Sequence, residues 1–386
     1  MAKHFDFILA GGGAAGLSLA CALARSPLAD RSILIVDRDT KTKNDRTWCF
    51  WSDHADPFDD ILYRQWDAVR FTGQGFARRL DLGKFRYKMI RGIDFYEHTH
   101  RLLANFPNVQ FLQGRIERIE ENAGTATVFI EGQPYTADWV FDSRVLPGSI
   151  AIDRARYHDL KQHFKGYLVE TDAPVFDALT PTLFDFRVQP HGDMRFFYIL
   201  PFSERRAIVE FTLFSARLLS EEEYVAELKG YLEHTLAVGP YRILEEESGI
   251  IPMTDLPFPR RLGKRIMAIG TLGGRVKPST GYAFARIQKD SEAIVASLVK
   301  KGHPFDVPTG PARYGWFDRT MLQVMYRRGN AMGDIFTQMF RRNSIQRIFR
   351  FLNEENTWAE DIRLLASLPV WPFLQAFLKV NLLGRV

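Results

Sequence analysis

The chain has 386 residues, 46% of them hydrophobic and 25% charged, with a formal net charge of +5. That length supports a large core and more than one domain, and no run approaches the ~18 uninterrupted apolar residues of a membrane span. Cys21 and Cys49 form neither a metal pattern nor a disulfide framework, and no zinc-finger, homeodomain or RNP pattern points to nucleic acid. The first residues, Met1-Ala2-Lys3-His4, run directly into a strand carrying Asp6 and do not read as a signal peptide. A cytosolic protein is expected, or one peripheral to a membrane from the cytosolic side.

Phe5 to Ala10 reads as a short apolar strand, Gly11 to Gly16 as a glycine turn, and Leu17 to Arg25 as a helix rich in Ala and Leu. Ile33 to Val36 makes a second buried strand, closed by Asp37. This is a βαβ unit with a dinucleotide fingerprint. Gly11 permits the turn, Gly13 lets the backbone approach a pyrophosphate, and Gly16 lets the helix pack on the strand. The helix opens at Ala14 and Ala15, where free N–H groups and the positive dipole end favour phosphate. Asp37 suits a ribose hydroxyl.

Next, Arg46 precedes Thr47-Trp48-Cys49-Phe50-Trp51. Trp48, Phe50 and Trp51 either line a flat aromatic ligand or an apolar tunnel, or pack as an ordinary hydrophobic strand. A helix is expected near Gly92 to Phe106, a strand over Val109 to Leu112, and a β-meander from Gly114 to Asp142. The meander runs into Asp142-Ser143-Arg144 and a turn at Pro147-Gly148, where Asp142 reads either as a polar residue at the strand end that faces ligand in an open α/β sheet or as a simple strand terminator.

Tyr167 to Thr171, Thr182 to Val188, Arg195 to Leu200 and Ala207 to Phe214 read as four alternating strands of an antiparallel sheet, followed by a helix over Glu221 to His234. By period two, Glu210 shares a face with Ile208, Thr212 and Phe214. There it is either an edge carboxylate in solvent or a desolvated acid that keeps its proton. α/β character returns with a strand over Ile266 to Ile269, a glycine loop Gly270 to Gly274, a turn Pro278 to Gly281 and a helix from Tyr282. The expected domains are therefore 1–150 and 248–300 for the nucleotide, an inserted sheet at 151–247, and a helical, basic region at 301–386. Residues 313–350 hold eight Arg against two Asp, which points to an anionic surface. The apolar stretch Leu364 to Leu383, broken by Pro369 and Pro372, suits either an interfacial anchor or a helical cap on the core.

The nucleotide unit, residues 46–51 (RTWCFW), Asp142-Ser143-Arg144, residues 198–215 (YILPFSERRAIVEFTLFS) and residues 273–288 (GGRVKPSTGYAFARIQ) together resemble the flavin-containing lycopene cyclases of carotenoid synthesis, the bacterial type, over nearly the full length. The resemblance implies an aromatic-hydroxylase-type flavoprotein: an α/β, Rossmann-like FAD-binding domain with an inserted antiparallel sheet. It implies reduced FAD held by Gly11, Gly13, Ala14, Ala15, Gly16, Asp37 and Arg46, with Gly273, Gly281 and Tyr282 at the flavin end. NAD(P)H is the implied electron source, and Glu210 the acid–base residue. The implied reaction is a redox-neutral cyclisation of the acyclic ends of lycopene, or a related carotenoid, to β-ionone rings at an anionic membrane surface. Trp48, Phe50 and Trp51 would line the tunnel.

Two departures matter. Gly270-Thr271 stands where related flavoproteins carry glycine and an acid. Phe211 follows Glu210 where many cyclases have a second carboxylate, which leaves Glu210 carrying more of the acid–base work. The competing readings are a flavin monooxygenase or prenyl-chain reductase on the same fold, and a non-catalytic isoprenoid-binding escort.

Overall fold

A computed structural model describes residues 2–122, 124–146 and 150–384, so the expected turn at Pro147-Gly148 lies outside the described residues. β1 (Lys3–Ala10), α1 (Ala14–Ala24) and β2 (Ile33–Asp37) form the parallel unit, with Phe7 opposite Ile33 and Ala10 opposite Val36. The chain then leaves this sheet for β3 (Thr47–Ser52), β4 (Arg64–Trp66), β5 (Ala68–Gly73), β6 (Phe76–Asp81) and β7 (Arg86–Arg91). It returns through α2 (Gly92–Leu103) to β8 (Val109–Gln113) and the meander β9 (Ile116–Asn122), β10 (Thr125–Ile130) and β11 (Gln133–Asp142). The order is β8-β2-β1-β11-β10-β9.

The second sheet uses β12 (Leu160–Thr171), β13 (Thr182–Asp185), β14 (Met194–Pro201) and β15 (Arg206–Ser215), close to the four expected strands. After α3 (Glu221–Gly230) comes β16 (Tyr241–Met253). The sheet runs β16-β12-β15-β14-β13-β5-β6, and is antiparallel except where β13 pairs in parallel with β5. The β5–β6 hairpin and β16 are thus additions at its two edges. β3, β7 and β4 form a small third sheet.

β17 (Ile266–Ala268) rejoins the first sheet beside the end of β11, pairing Asp142 with Ala268. α4 (Phe284–Lys301) follows and stops at Gly302, which adopts the left-handed conformation at φ 71°. α5 (Ala312–Arg328), α6 (Met332–Arg342), α7 (Ile345–Leu352), α8 (Trp358–Leu365) and α9 (Val370–Phe377) complete the chain. Pro369 precedes α9, and Pro372 sits in its first turn, where a missing N–H costs nothing. The apolar stretch is therefore interrupted before α9, at Pro369, and not at Pro372.

The C-terminal helices share one core with the second and third sheets: Phe340 stacks on Phe71 at 4.3 Å, and Phe349 on Trp51 at 4.4 Å. Part of the regional arginine excess is structural. Arg313 pairs with buried Asp361 at 2.7 Å, Arg319 with Asp255 at 3.0 Å, and Arg350 with Glu360. These acids all lie outside 313–350, while Arg327, Arg328, Arg341 and Arg342 stay exposed, so part of the expected basic surface is neutralised and part remains.

A buried ionic cluster ties the glycine-loop region to these helices. Lys277 reaches Asp318 at 3.1 Å and Glu354 at 3.0 Å, Ser279 donates to Asp318 at 2.6 Å, and Arg286 meets Glu354 at 2.7 Å. Removing one partner strands buried charge. Lys277→Met is expected to destabilise the protein by about 3 kcal/mol, seen as a lower melting temperature.

Candidate functional site

A cavity of about 1400 Å³ runs from the glycine turn, past Trp48 and Gly281, to β15 and the C-terminal helices. It exceeds the roughly 300–1,000 Å³ of an ordinary ligand pocket, so two ligands can share it. One end is polar. Gly11, Gly13, Ala14, Ala15, Asp37, Arg46 and Ser143 line it.

α3, α7 and α8 are capped by Ser220, Ser344 and Thr357. α1 and α4, whose N-termini both open into the cavity, have neither a side-chain cap nor an acid in the first turn. Their first N–H groups are left for an anionic or polar ligand. Asp37 accepts from Gly12 N at 2.7 Å and Asp39 N at 2.9 Å, which fixes its carboxylate beside the turn. A Cβ on Gly13 would meet nothing within 4 Å, so the space in front of it is open. Gly16 is not in the wall: it packs α1 against Gly11, as its place in the fingerprint requires.

The loop after β17 supplies Gly270 and Thr271 to the wall. Gly273, expected there, faces a separate cavity of about 370 Å³ with Phe258 and Trp316. Gly270 adopts the left-handed conformation, φ 60°, and Gly273 lies beyond the turn it makes, after Thr271. Gly281 and Tyr282 do face it. Beside Gly281, the buried Gln162 Oε1 has no donor among the described residues, which leaves an acceptor for a ligand N–H.

Trp48 and Trp51 line the cavity and Phe50 does not. Phe50 is buried against Phe284, with ring centres 5.2 Å apart. Trp51 stands on the other face of β3, edge-on to Tyr282 at 4.7 Å.

The apolar end is built by the inner face of the second sheet. Ile208, Glu210, Thr212 and Phe214 of β15 all face the cavity, as period two predicts, with Phe196, Tyr198 and Leu200 from β14 beside them. Phe317, Met321 and Met325 of α5 and Phe336, Met339 and Phe340 of α6 close the opposite side. Glu210 lies deep in the fold but keeps some accessibility, because the cavity reaches it. Burial pushes its carboxyl up to about 8, helped by the negative charge of Glu247 and opposed by a hydrogen bond from Thr212. At neutral pH it keeps its proton.

Sequence reasoning missed Glu247. It faces the same cavity from β16 and accepts from Thr47 N and Thr47 Oγ1, each at 2.8 Å. Its stretch, Glu245-Glu246-Glu247, reads as a solvated acidic run, and only strand register brings it inside. Buried Tyr87 and half-buried Tyr198, hydrogen-bonded at 2.5 Å, were likewise not singled out.

A Rossmann-like sheet with an inserted, mostly antiparallel sheet and C-terminal helices is the architecture of the aromatic-hydroxylase-type flavoproteins. The chain superimposes on a flavoprotein/dehydrogenase from Cytophaga hutchinsonii with a TM-score of 0.65 at 12% identity, covering 99% of this chain and 100% of that one. It matches p-nitrophenol 4-monooxygenase from Pseudomonas putida with a TM-score of 0.59 at 14% identity, covering 100% and 99%. The likeness defines the fold. Within that class, the profile of the family described as lycopene cyclase protein matches residues 6–378, and the chain belongs to that family. Lycopene beta cyclase of Arabidopsis thaliana, a chloroplastic protein, is 26% identical over 313 residues, covering 76% of this chain and 60% of the relative. The chain thus spans about 60% of the length of the curated relatives it matches.

Proposed function

We propose that this chain is a lycopene β-cyclase that uses bound FAD without net redox change. It converts the acyclic end groups of lycopene, or a related carotenoid, to β-ionone rings. One observation carries the reading: the carboxyl of Glu210, which burial pushes up to about 8, stands in the apolar part of a cavity that begins at a dinucleotide fingerprint.

The residues suit FAD. α1 and Asp37 would hold its ADP half, Arg46 its middle, and Gly281, Tyr282 and the free Gln162 Oε1 its ring end. When bound and reduced, with NAD(P)H as the electron source, it supplies negative charge near a developing cation.

The side chains of this protein do the rest. Glu210 delivers a proton to the terminal double bond. Trp51, Tyr282 and Phe196 offer ring faces to the cation that results. Phe336, Met339 and Phe340 keep water from quenching it. Loss of a ring proton then restores the proton balance, so the product is an isomer of the substrate. Lycopene, FAD and NAD(P)H are incubated anaerobically with the pure protein, and product mass is measured. Unchanged mass with β-ring absorbance supports cyclisation. Gain of oxygen or of two hydrogens supports a monooxygenase or a prenyl-chain reductase, and absence of flavin colour and product supports an escort.

Protonation sets the pH range. Activity is expected to fall as pH rises through about 8, where Glu210 ionises, checked by kcat/KM between pH 6 and 10.

We further propose that the substrate enters from a membrane surface on the cytoplasmic side. No helix among the described residues is long and apolar enough to cross a membrane. On α8 and α9, however, Ile362, Val370 and Leu374 line the cavity and are themselves exposed, beside Trp371 at 70% exposure. A hydrocarbon leaving a bilayer would meet a continuous apolar path there. Replacing Trp371 and Leu374 together by Glu is expected to release the protein from anionic vesicles in a flotation assay and to raise KM severalfold, with flavin absorbance unchanged.

A further inference from the structure

Register places four residues in one row across four neighbouring strands. Tyr198 of β14 pairs with Glu210 of β15, Glu210 with Gly166 of β12, and Gly166 with Glu247 of β16. Directly paired residues share a face, so both carboxylates rise from the cavity side with only a glycine between them. Strands lie about 4.8 Å apart, which separates the two glutamate backbones by roughly 10 Å. A side chain at 166 would fill that gap: its Cβ would stand 3.3 Å from Glu210 Cβ and 3.4 Å from Glu210 Cγ. Glu210 therefore lies over Gly166.

Glu247 is held from its other side. Thr47 N donates to one carboxylate oxygen and Thr47 Oγ1 to the other. Burial raises the Glu247 carboxyl above its ordinary value, while the two donors fix its position and, with Arg46, pull it back toward the ionised form. The remaining titratable or charged groups facing the pair are Asp45 and Arg46 beside Glu247, and Cys49 and Tyr282 beside Glu210. None of these places a cation next to Glu210.

We propose that Glu247 is the second carboxylate of this site, a positioning residue whose fixed negative charge acts across the gap at Gly166 to keep the proton on Glu210. The inference rests on the role given to Glu210 above, and it supplies from a distant strand the acidic partner that Phe211 does not. A purely structural account is also at hand, since the Thr47–Glu247 contact ties the third sheet to the second.

The two accounts part in a titration. The carboxylic-acid C=O band of the purified, flavin-loaded protein without substrate is followed by pH-difference infrared spectroscopy and assigned by its absence in Glu210→Gln. In the wild type its midpoint is expected near 8. Removing a like charge makes ionisation easier, so Glu247→Gln is expected to move that midpoint down by on the order of one pH unit. Glu247→Ala should do the same by truncation, and Glu247→Asp should return the midpoint toward the wild-type value. Should one of these variants fail to fold, the others carry the test. An unchanged midpoint in the charge-removing variants overturns the proposal, as does the absence of a Glu210 band in the wild type. A product-mass result against cyclisation would leave the titration standing, so the two readings fail separately.

Discussion

Glu210→Gln is expected to lower cyclisation by about 10²–10⁴-fold, the usual contribution of a positioned general acid, while the protein still binds flavin. The amide is nearly the shape of the protonated carboxyl and can keep a contact with Thr212, so the variant loses an acidic proton and little else. A Glu210 that merely packed would tolerate this change with activity intact.

The same substitution carries an opposite signature in stability, and the sign follows from linkage. The folded-state value near 8 lies above the ordinary glutamate value of 4.5. The contribution of Glu210 to stability is therefore complete below about 4.5 and is lost as pH rises through 8. Above that, a charge must sit in an apolar wall. Glutamine removes this cost. At pH 9 the inactive variant is expected to be more stable than the wild type, by on the order of 2–4 kcal/mol, and equal to it at pH 4. Denaturant melts at the two pH values check this. Equal stability at both would mean that Glu210 is hydrated through the cavity and holds no proton at neutral pH.

Local pattern told much about this site, and register told the rest. The alternation of β15 put Ile208, Glu210, Thr212 and Phe214 on one face, because a strand's period is a property of its own residues. Which side that face would meet was not local information. It depends on α5 and α6, more than a hundred residues later, laying Met325 and Phe336 over it. Glu247 was invisible for the same reason. Nothing in Glu245-Glu246-Glu247 marks one acid as inward, and only pairing with Gly166, some eighty residues earlier, selects it. Phe50 shares its strand face with Trp48 but is covered by Phe284 of α4, and Gly273 lies beyond the turn at Gly270, neither of which is local information. Three arginines of 313–350, Arg313, Arg319 and Arg350, find their acids elsewhere in the chain, which counting charge along the sequence does not reveal.

The second large effect is expected at the glycine turn. A Cβ on Gly16 would fall 2.0 Å from the carbonyl oxygen of Gly11, a backbone atom with no rotamer to move. Gly11 cannot retreat easily either. It stands at φ 116°, and a Cβ of its own would lie 2.2 Å from Ser143 Oγ. In Gly16→Ala the first turn of α1 must therefore lift off β1, carrying its free N–H groups from the place where a pyrophosphate would sit. Overpacking of this kind costs about 1–3 kcal/mol or more, so FAD affinity is expected to fall at least tenfold, with a lower melting temperature even without cofactor. Gly13→Ala separates the two effects. Its Cβ would meet no protein atom within 4 Å, and its φ of −88° suits alanine, so the cofactor-free protein should melt like the wild type. Yet that methyl group would occupy the space assigned to the ligand, and FAD binding measured by flavin fluorescence quenching should weaken by a similar factor. A Gly13→Ala protein that binds FAD normally would move the pyrophosphate away from the head of α1, and the polar end of the cavity would need another occupant.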